Sequence, residues 1–295
     1  MNRQEAKNVR AGTPFPDDPL FSATSNDDIA EIKRLLITGK GDINCVTWAY
    51  GKGLPCFVQS HDALDVILEN GLIVDERTLI NFIQHKITRS YPETDFECEV
   101  LEKLIKWGAP IDGSSEAAQI KEFYEYQANR LAPIVKCFFE SNLRFMEILL
   151  RNGANPSIED LGSTTRFTPL HWNVMHWHHW HPVHKEDDDT DSMRTCDLLI
   201  EYGADPYRFD IDGNTPIHLA AKYCLIRPFE YLAQHGVSLL QLNGEGRSIL
   251  YLAGNRHREA NALHGSTSAD FKKSYNKTFS CFYTTDLDTG EIVRK

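Results

Sequence analysis

Residues Gly213 to Asn243 read GNTPIHLAAKYCLIRPFEYLAQHGVSLLQLN, a run that dictates turn, helix, turn, helix, turn. Pro216 suits the first position of a helix, where its missing N–H would have no partner in any case. Ala220 and Ala221 leave room for close helix packing. A second apolar-periodic segment, Ile226 to Leu232, ends at Gly236, which takes a left-handed helix stop without a Cβ penalty. A lone helix pair cannot bury both of its apolar faces, so the chain must hold neighbours of the same kind.

It does. Thr168-Pro169-Leu170-His171 repeats the opening Thr215-Pro216-Ile217-His218. Gly203-Ala204-Asp205 and Gly153-Ala154-Asn155 repeat the close, and Ser248-Ile249-Leu250-Tyr251-Leu252-Ala253 is a degraded copy set 33 residues later. These tetrapeptides and in-phase closings resemble the ankyrin repeat, whose signature is Thr-Pro-Leu-His-x-Ala-Ala with Gly-Ala-Asp after the second helix. The resemblance covers residues 18–260 and is specific over 130–253. It implies an all-α ankyrin-repeat solenoid of six or seven helix-turn-helix units, each touching only its neighbours.

Residues 1–17 read as a polar leader. Asp18-Pro19-Leu20-Phe21 opens a divergent first repeat, with Asp28 to Leu36 as its second helix and 41–44 as its closing turn. The next opens at Leu54-Pro55-Cys56-Phe57 and stops at Asn70-Gly71. Seven residues separate Gly71 from Thr78, against twelve from Gly203 to Thr215. A projecting hairpin finger is therefore expected to be missing there, with Asp75 capping the following helix directly. Two insertions interrupt the pattern. Residues 113–130 read as an extra helix. Residues 173–192 hold most of the run HWNVMHWHHWHPVH (His171 to His184) and an acidic stretch, and are expected between the two helices of their unit. Residues 261–295 form a C-terminal tail, read either as flexible or as a β-hairpin turning at Asp286 to Gly290.

The formal net charge of −11 argues against nucleic acid as a partner, because phosphate contacts need Lys and Arg. It favours solubility and a protein partner with a basic surface. Seven scattered cysteines with no C-x-x-C pair point to reduced thiols and a cytoplasmic setting, the host cell's cytoplasm if the chain is an effector. No run of about 18 apolar residues offers a membrane span.

His171 and His218 invite a catalytic reading, but the resemblance implies a structural one, with hydrogen bonds inside and between repeats. No nucleophile, phosphate-loop or dinucleotide signature occurs, so no catalytic residue and no cofactor is expected. The histidine-rich segment is the exception to weigh. Imidazole suits zinc, copper and nickel, and His176, His179, His181 and His184 are the metal candidates. Their spacing matches no metal motif. Trp177 and Trp180 in the same segment are residue types that dominate interfaces. The other partner-binding candidates fall on fingers: Trp48 and Tyr50 on an early one, and Tyr207, Arg208, Phe209, Asp210 and Asp212 on a later one. The function expected is a non-enzymatic protein-protein interaction scaffold. Its degenerate repeats and insertions are similar in style to bacterial effectors that engage a host protein. The alternatives are a metal-binding or catalytic protein using His176 to His184, and an acidic inhibitor, immunity protein or cytosolic adaptor. The oligomeric state is left open.

Overall fold

The repeat is plainest where each second helix ends. Gly39, Gly71, Gly108, Gly153, Gly203 and Gly236 all follow a helix within two residues, with φ between +63° and +105°. In each case the next N–H reaches back five residues. Lys40 bonds Leu35, Leu72 bonds Ile67, Ala109 bonds Leu104, Ala154 bonds Leu149, Ala204 bonds Leu199 and Val237 bonds Leu232, at 2.8–3.3 Å. This closure satisfies carbonyls that a helix end would otherwise orphan. The divergent early repeats thus close as the regular later ones do.

The computed structural model describes residues 18–45, 53–87, 94–113, 132–139, 142–159, 165–180, 190–223, 225–238, 240–249, 252, 283–285 and 292–294. The expected leader (1–17) and the helical insertion near 113–130 lie outside them, save for Gly113. The chain divides into two compact units, 1–163 and 164–295.

Unit 1 contains α1 (Pro19–Ser25), α2 (Ile29–Thr38), a 3-10 turn (Leu54–Cys56), α3 (His61–Glu69), α4 (Glu76–Ile87), α5 (Asp95–Lys106), α6 (Pro133–Phe139) and α7 (Leu143–Arg151). Its helix starts are written in side chains. Asp18 accepts from the Leu20 N–H, Asp28 from Glu31 and Ser60 from Ala63. Thr94 and Glu97 form a reciprocal capping box on α5. Asp75 and Thr78 bond each other's backbone N–H at 3.0 and 3.1 Å. That pair starts α4 straight out of the preceding turn, where the short spacing leaves no length for a finger. The first helix of the second repeat shrinks to one 3-10 turn, yet Leu54 and Cys56 are still buried. First helices pack in order (α1, the 3-10 turn, α4, α6), while α2 packs on α3 and α5 on α7. Phe82 and Phe145, both fully buried, stack at 5.9 Å in the core.

Unit 2 contains α8 (Pro169–Trp180), α9 (Thr190–Glu201), α10 (Pro216–Lys222) and α11 (Ile226–Gln234). The first helices α8 and α10 pack together, and each packs on its own second helix. Two short strands, β1 (Tyr283–Thr285) and β2 (Ile292–Arg294), pair antiparallel with Thr284 opposite Val293, so the chain carries a strand pair besides its helices. The histidine-rich insertion is not simply a loop. The helix runs on to Trp180, giving α8 12 residues against 7 in α10. No Gly or Pro interrupts residues 170–180, and the next proline, Pro182, disfavours helix at the residue before it. Among the described residues no helix is long and apolar enough to cross a membrane. Cys45 and Cys196 are free thiols.

Candidate functional site

Unit 2 is fastened through its histidines. His171 is fully buried. Its Nδ1 accepts from the Thr168 N–H at 3.2 Å and lies 2.8 Å from the Thr168 hydroxyl, while Nε2 lies 3.0 Å from the Asn214 carbonyl of the next repeat. A carbonyl can only accept, so the proton sits on Nε2 and the ring is neutral. His218 repeats the device, with Nδ1 2.7 Å from the Thr215 hydroxyl and Nε2 3.0 Å from the Gln241 carbonyl. Burial pushes its pKa below the ordinary imidazole value, with the Gln241 bond pulling the other way. In each ring Nδ1 is engaged within its own repeat and Nε2 joins that repeat to the next.

Asn214 is the hub of this network. Its N–H donates to the Asp210 carboxylate at 2.7 Å, and its side-chain oxygen accepts from the Asn243 amide at 2.9 Å. The fingers also meet backbone to backbone. Ile211 N–H donates to the Thr165 carbonyl at 2.8 Å, and Gly244 N–H donates to the Gly213 carbonyl at 2.6 Å. This approach requires glycine, because a Cβ on Gly213 would stand 2.7 Å from Gly244 Cα.

The framework holds four large apolar side chains in water. Phe209 is 42% exposed, Ile211 58%, Leu240 72% and Leu242 52%. Phe209 and Ile211 flank Asp210, where a turn closed by the Gly213 N–H on the Asp210 carbonyl begins. Asp210 is only 4% exposed, its carboxylate turned back across the turn to the Asn214 N–H.

Asp210, expected as a partner contact, is a buried turn-former that accepts from the Asn214 N–H, and burial raises its pKa. Arg208 and Asp212 are exposed, Asp212 lying 3.9 Å from Lys222. Tyr207 is 38% exposed, but its hydroxyl accepts from the Ser238 N–H at 3.1 Å. Asn44 and Asp112 do the same for Ile73 and Asn155 in unit 1. In all three cases the N–H belongs to the second residue after a helix-ending glycine. Tyr207 is therefore a clamp between turns as well as a surface residue. Sequence reading missed Leu240 and Leu242, which look like the apolar end of a buried segment.

Trp48, Tyr50, His181 and His184 lie outside the described residues. His176, Trp177, His179 and Trp180 fall on the last turns of α8, and only their backbone is described. Among the described residues no three His, Cys, Asp or Glu side chains come together as a metal would need. A cavity of about 10 Å³ lined by Leu170, Val174, Met193, Cys196 and Leu232 has room for about one water and no substrate.

A family model described as ankyrin repeats (many copies) matches residues 190–224, from the start of α9 through the finger to the end of α10. The fold is similar to the ankyrin repeat domain of human ASB11, with a TM-score of 0.51 and 22% sequence identity over 80% of this chain and 91% of that one. A search of the curated proteins finds no match. Residues 190–224 thus match the ankyrin-repeat sequence pattern, and over most of its length the chain has the fold of an ankyrin-repeat domain.

Proposed function

We propose that the chain is a non-catalytic scaffold that binds another protein through the fingers of unit 2. The observation that carries this reading is the exposure of Phe209, Ile211, Leu240 and Leu242 on two fingers locked to each other. Large apolar side chains cost solubility when exposed together, and a rigid frame lowers the ordering cost of binding. The charges around them are already engaged within the chain. Asp212 faces Lys222, Glu245 pairs with Arg247 at 2.6 Å, and Asp210 is bonded to Asn214. The partner is then recognised chiefly by apolar contact, with Arg208 and Tyr207 at the margin. No cofactor is required for this role, and a host-cell target of an effector or a partner of a cytosolic adaptor would be met through the same surface.

The test is retention of a partner from a cell lysate by the full chain and by a variant carrying Phe209→Ala, Ile211→Ala and Leu242→Ala. All three side chains are exposed, so the variant should keep its helical circular dichroism and melting temperature. One protein held by the parent and lost by the variant supports the reading. Equal retention by both places binding elsewhere on the chain.

A further inference from the structure

Among the described residues of the two fingers, 205–214 and 240–247, one charged side chain has no answering group. Asp210 is buried on the Asn214 N–H, and Asp205 accepts from the Tyr207 N–H. Asp212 faces Lys222 at 3.9 Å, and Glu245 pairs with Arg247 at 2.6 Å. Arg208 is exposed and makes neither a hydrogen bond nor an ion pair. Tyr207, before it, has its hydroxyl oxygen occupied by the Ser238 N–H. Phe209, after it, is the largest of the four apolar side chains that the fingers hold in water.

Neighbouring Cα atoms lie about 3.8 Å apart, less than the length of an arginine side chain, so whatever covers Phe209 comes within reach of the Arg208 guanidinium. Covering Phe209 strips water from part of that group. A cation left without an acceptor in a drying contact costs free energy, and a like charge brought up to it costs more. A carboxylate removes both costs, because its two oxygens match the fork of N–H donors. The chain as a whole sets a limit on how acidic the visitor can be. Its formal net charge of −11 repels an acidic tract and, over long range, favours a basic partner. The fingers ask for something different at close range: apolar side chains with a single acid at one margin.

We infer that the two fingers take a short protein segment whose apolar side chains cover Phe209, Ile211, Leu240 and Leu242 and which carries one Asp or Glu where it meets Arg208. This rests on the finger-binding reading above and adds the chemistry of the partner to it. Apolar contact supplies most of the affinity and tolerates many sequences. A charge at the margin supplies orientation and rejection instead. Arg208 therefore sets which way along the fingers the segment runs, and turns away segments that bring Lys or Arg to that end.

The test uses the full chain and a displayed library of random short peptides. Peptides retained by the parent are sequenced. The strongest is synthesised and titrated by fluorescence anisotropy against the parent, against Arg208→Glu, and against the variant carrying Phe209→Ala, Ile211→Ala and Leu242→Ala. Arg208 is exposed and unpaired, so its replacement should leave the helical circular dichroism unchanged. Should the reversal not fold, Arg208→Gln drops the charge in its place. The expected peptides share an acidic residue at a fixed distance from their apolar ones. Arg208→Glu should weaken binding about tenfold. Exchanging the peptide's acid for Lys should restore binding to Arg208→Glu and weaken binding to the parent, which only a direct pair would do. Peptides with no shared acid, equal binding by Arg208→Glu, or a charge exchange that rescues nothing would overturn the inference. The finger reading survives those results as long as the triple alanine variant loses the peptides. If no peptide binds, or the triple variant binds as tightly as the parent, the finger reading falls and this inference with it.

Discussion

The two units share turn-to-turn clamps between repeats but weight their other joins differently. In unit 1, consecutive second helices are joined by exposed ion pairs and a His–carboxylate contact. Lys103 of α5 meets Asp65 of α3 at 2.5 Å, His61 of α3 meets Glu99 of α5 at 2.6 Å, Arg144 of α7 meets Asp95 at 2.5 Å, and Arg151 of α7 meets Glu102. In unit 2 the repeats are joined chiefly at their finger ends, by the buried His–carbonyl bonds and Asn214–Asn243 pair and by the Gly213–Gly244 backbone approach, with exposed Asp197 contacts to Tyr231 and His235 linking the second helices. An exposed ion pair contributes about 0–1 kcal/mol, whereas stranding a buried polar group costs about 1–3 kcal/mol. Where the first helix shrinks to a 3-10 turn and a finger is missing, the helix backs carry the join. Where fingers are complete, they carry it, and the same part of the molecule presents the apolar surface.

The largest effect that separates the two schemes should come from glycine. Gly213→Ala places a Cβ against Gly244 backbone at a φ of +77°, with an expected cost of about 3 kcal/mol from overpacking and left-handed strain. Gly153→Ala in unit 1 has the same kind of φ but nothing within 4 Å, so only the strain of about 1 kcal/mol should appear. Urea midpoints of the two variants check the difference, and equal losses would break the comparison.

Next in size is His218→Ala. It strands the Gln241 carbonyl and should cost about 2 kcal/mol by the same measurement. Asp210→Asn keeps the acceptor for Asn214 and removes a carboxylate that burial disfavours. It should raise the melting temperature at neutral pH and leave it unchanged below about pH 4, where the aspartate is protonated in both states. Smallest should be Lys103→Ala, which removes one exposed pair of unit 1 and should cost under about 1 kcal/mol, vanishing in high salt.

Much of the fold was legible because repeats announce themselves by punctuation. Each closing glycine occupies a conformation other residues resist, and each Thr-Pro-x-His places its imidazole by local geometry alone, Nδ1 over the threonine three residues back. Even the missing finger could be counted, because four residues between Gly71 and α4 leave no room for one. What could not be read depends on the register of one repeat on the next. The pairs Arg144–Asp95 and Arg151–Glu102 each span 49 residues, and no local pattern marks them. Tyr207 looked like an interface aromatic because its bond to Ser238 lies 31 residues away. Leu240 and Leu242 have the composition of core, and nothing local marks that the finger exposes them. The burial of Asp210 was illegible for a related reason: a charged residue on a finger is expected to face water, and its bond to Asn214 across the turn draws it in.

The most direct test of the two fastenings is amide exchange across the whole chain at low salt and at about 1 M NaCl, where the screening length falls to about 3 Å. The account predicts that the second helices of unit 1, α3, α5 and α7, lose protection in high salt while the Ile211 and Gly244 amides of unit 2 keep theirs. An equal loss in both units, or a loss confined to the fingers, would contradict it.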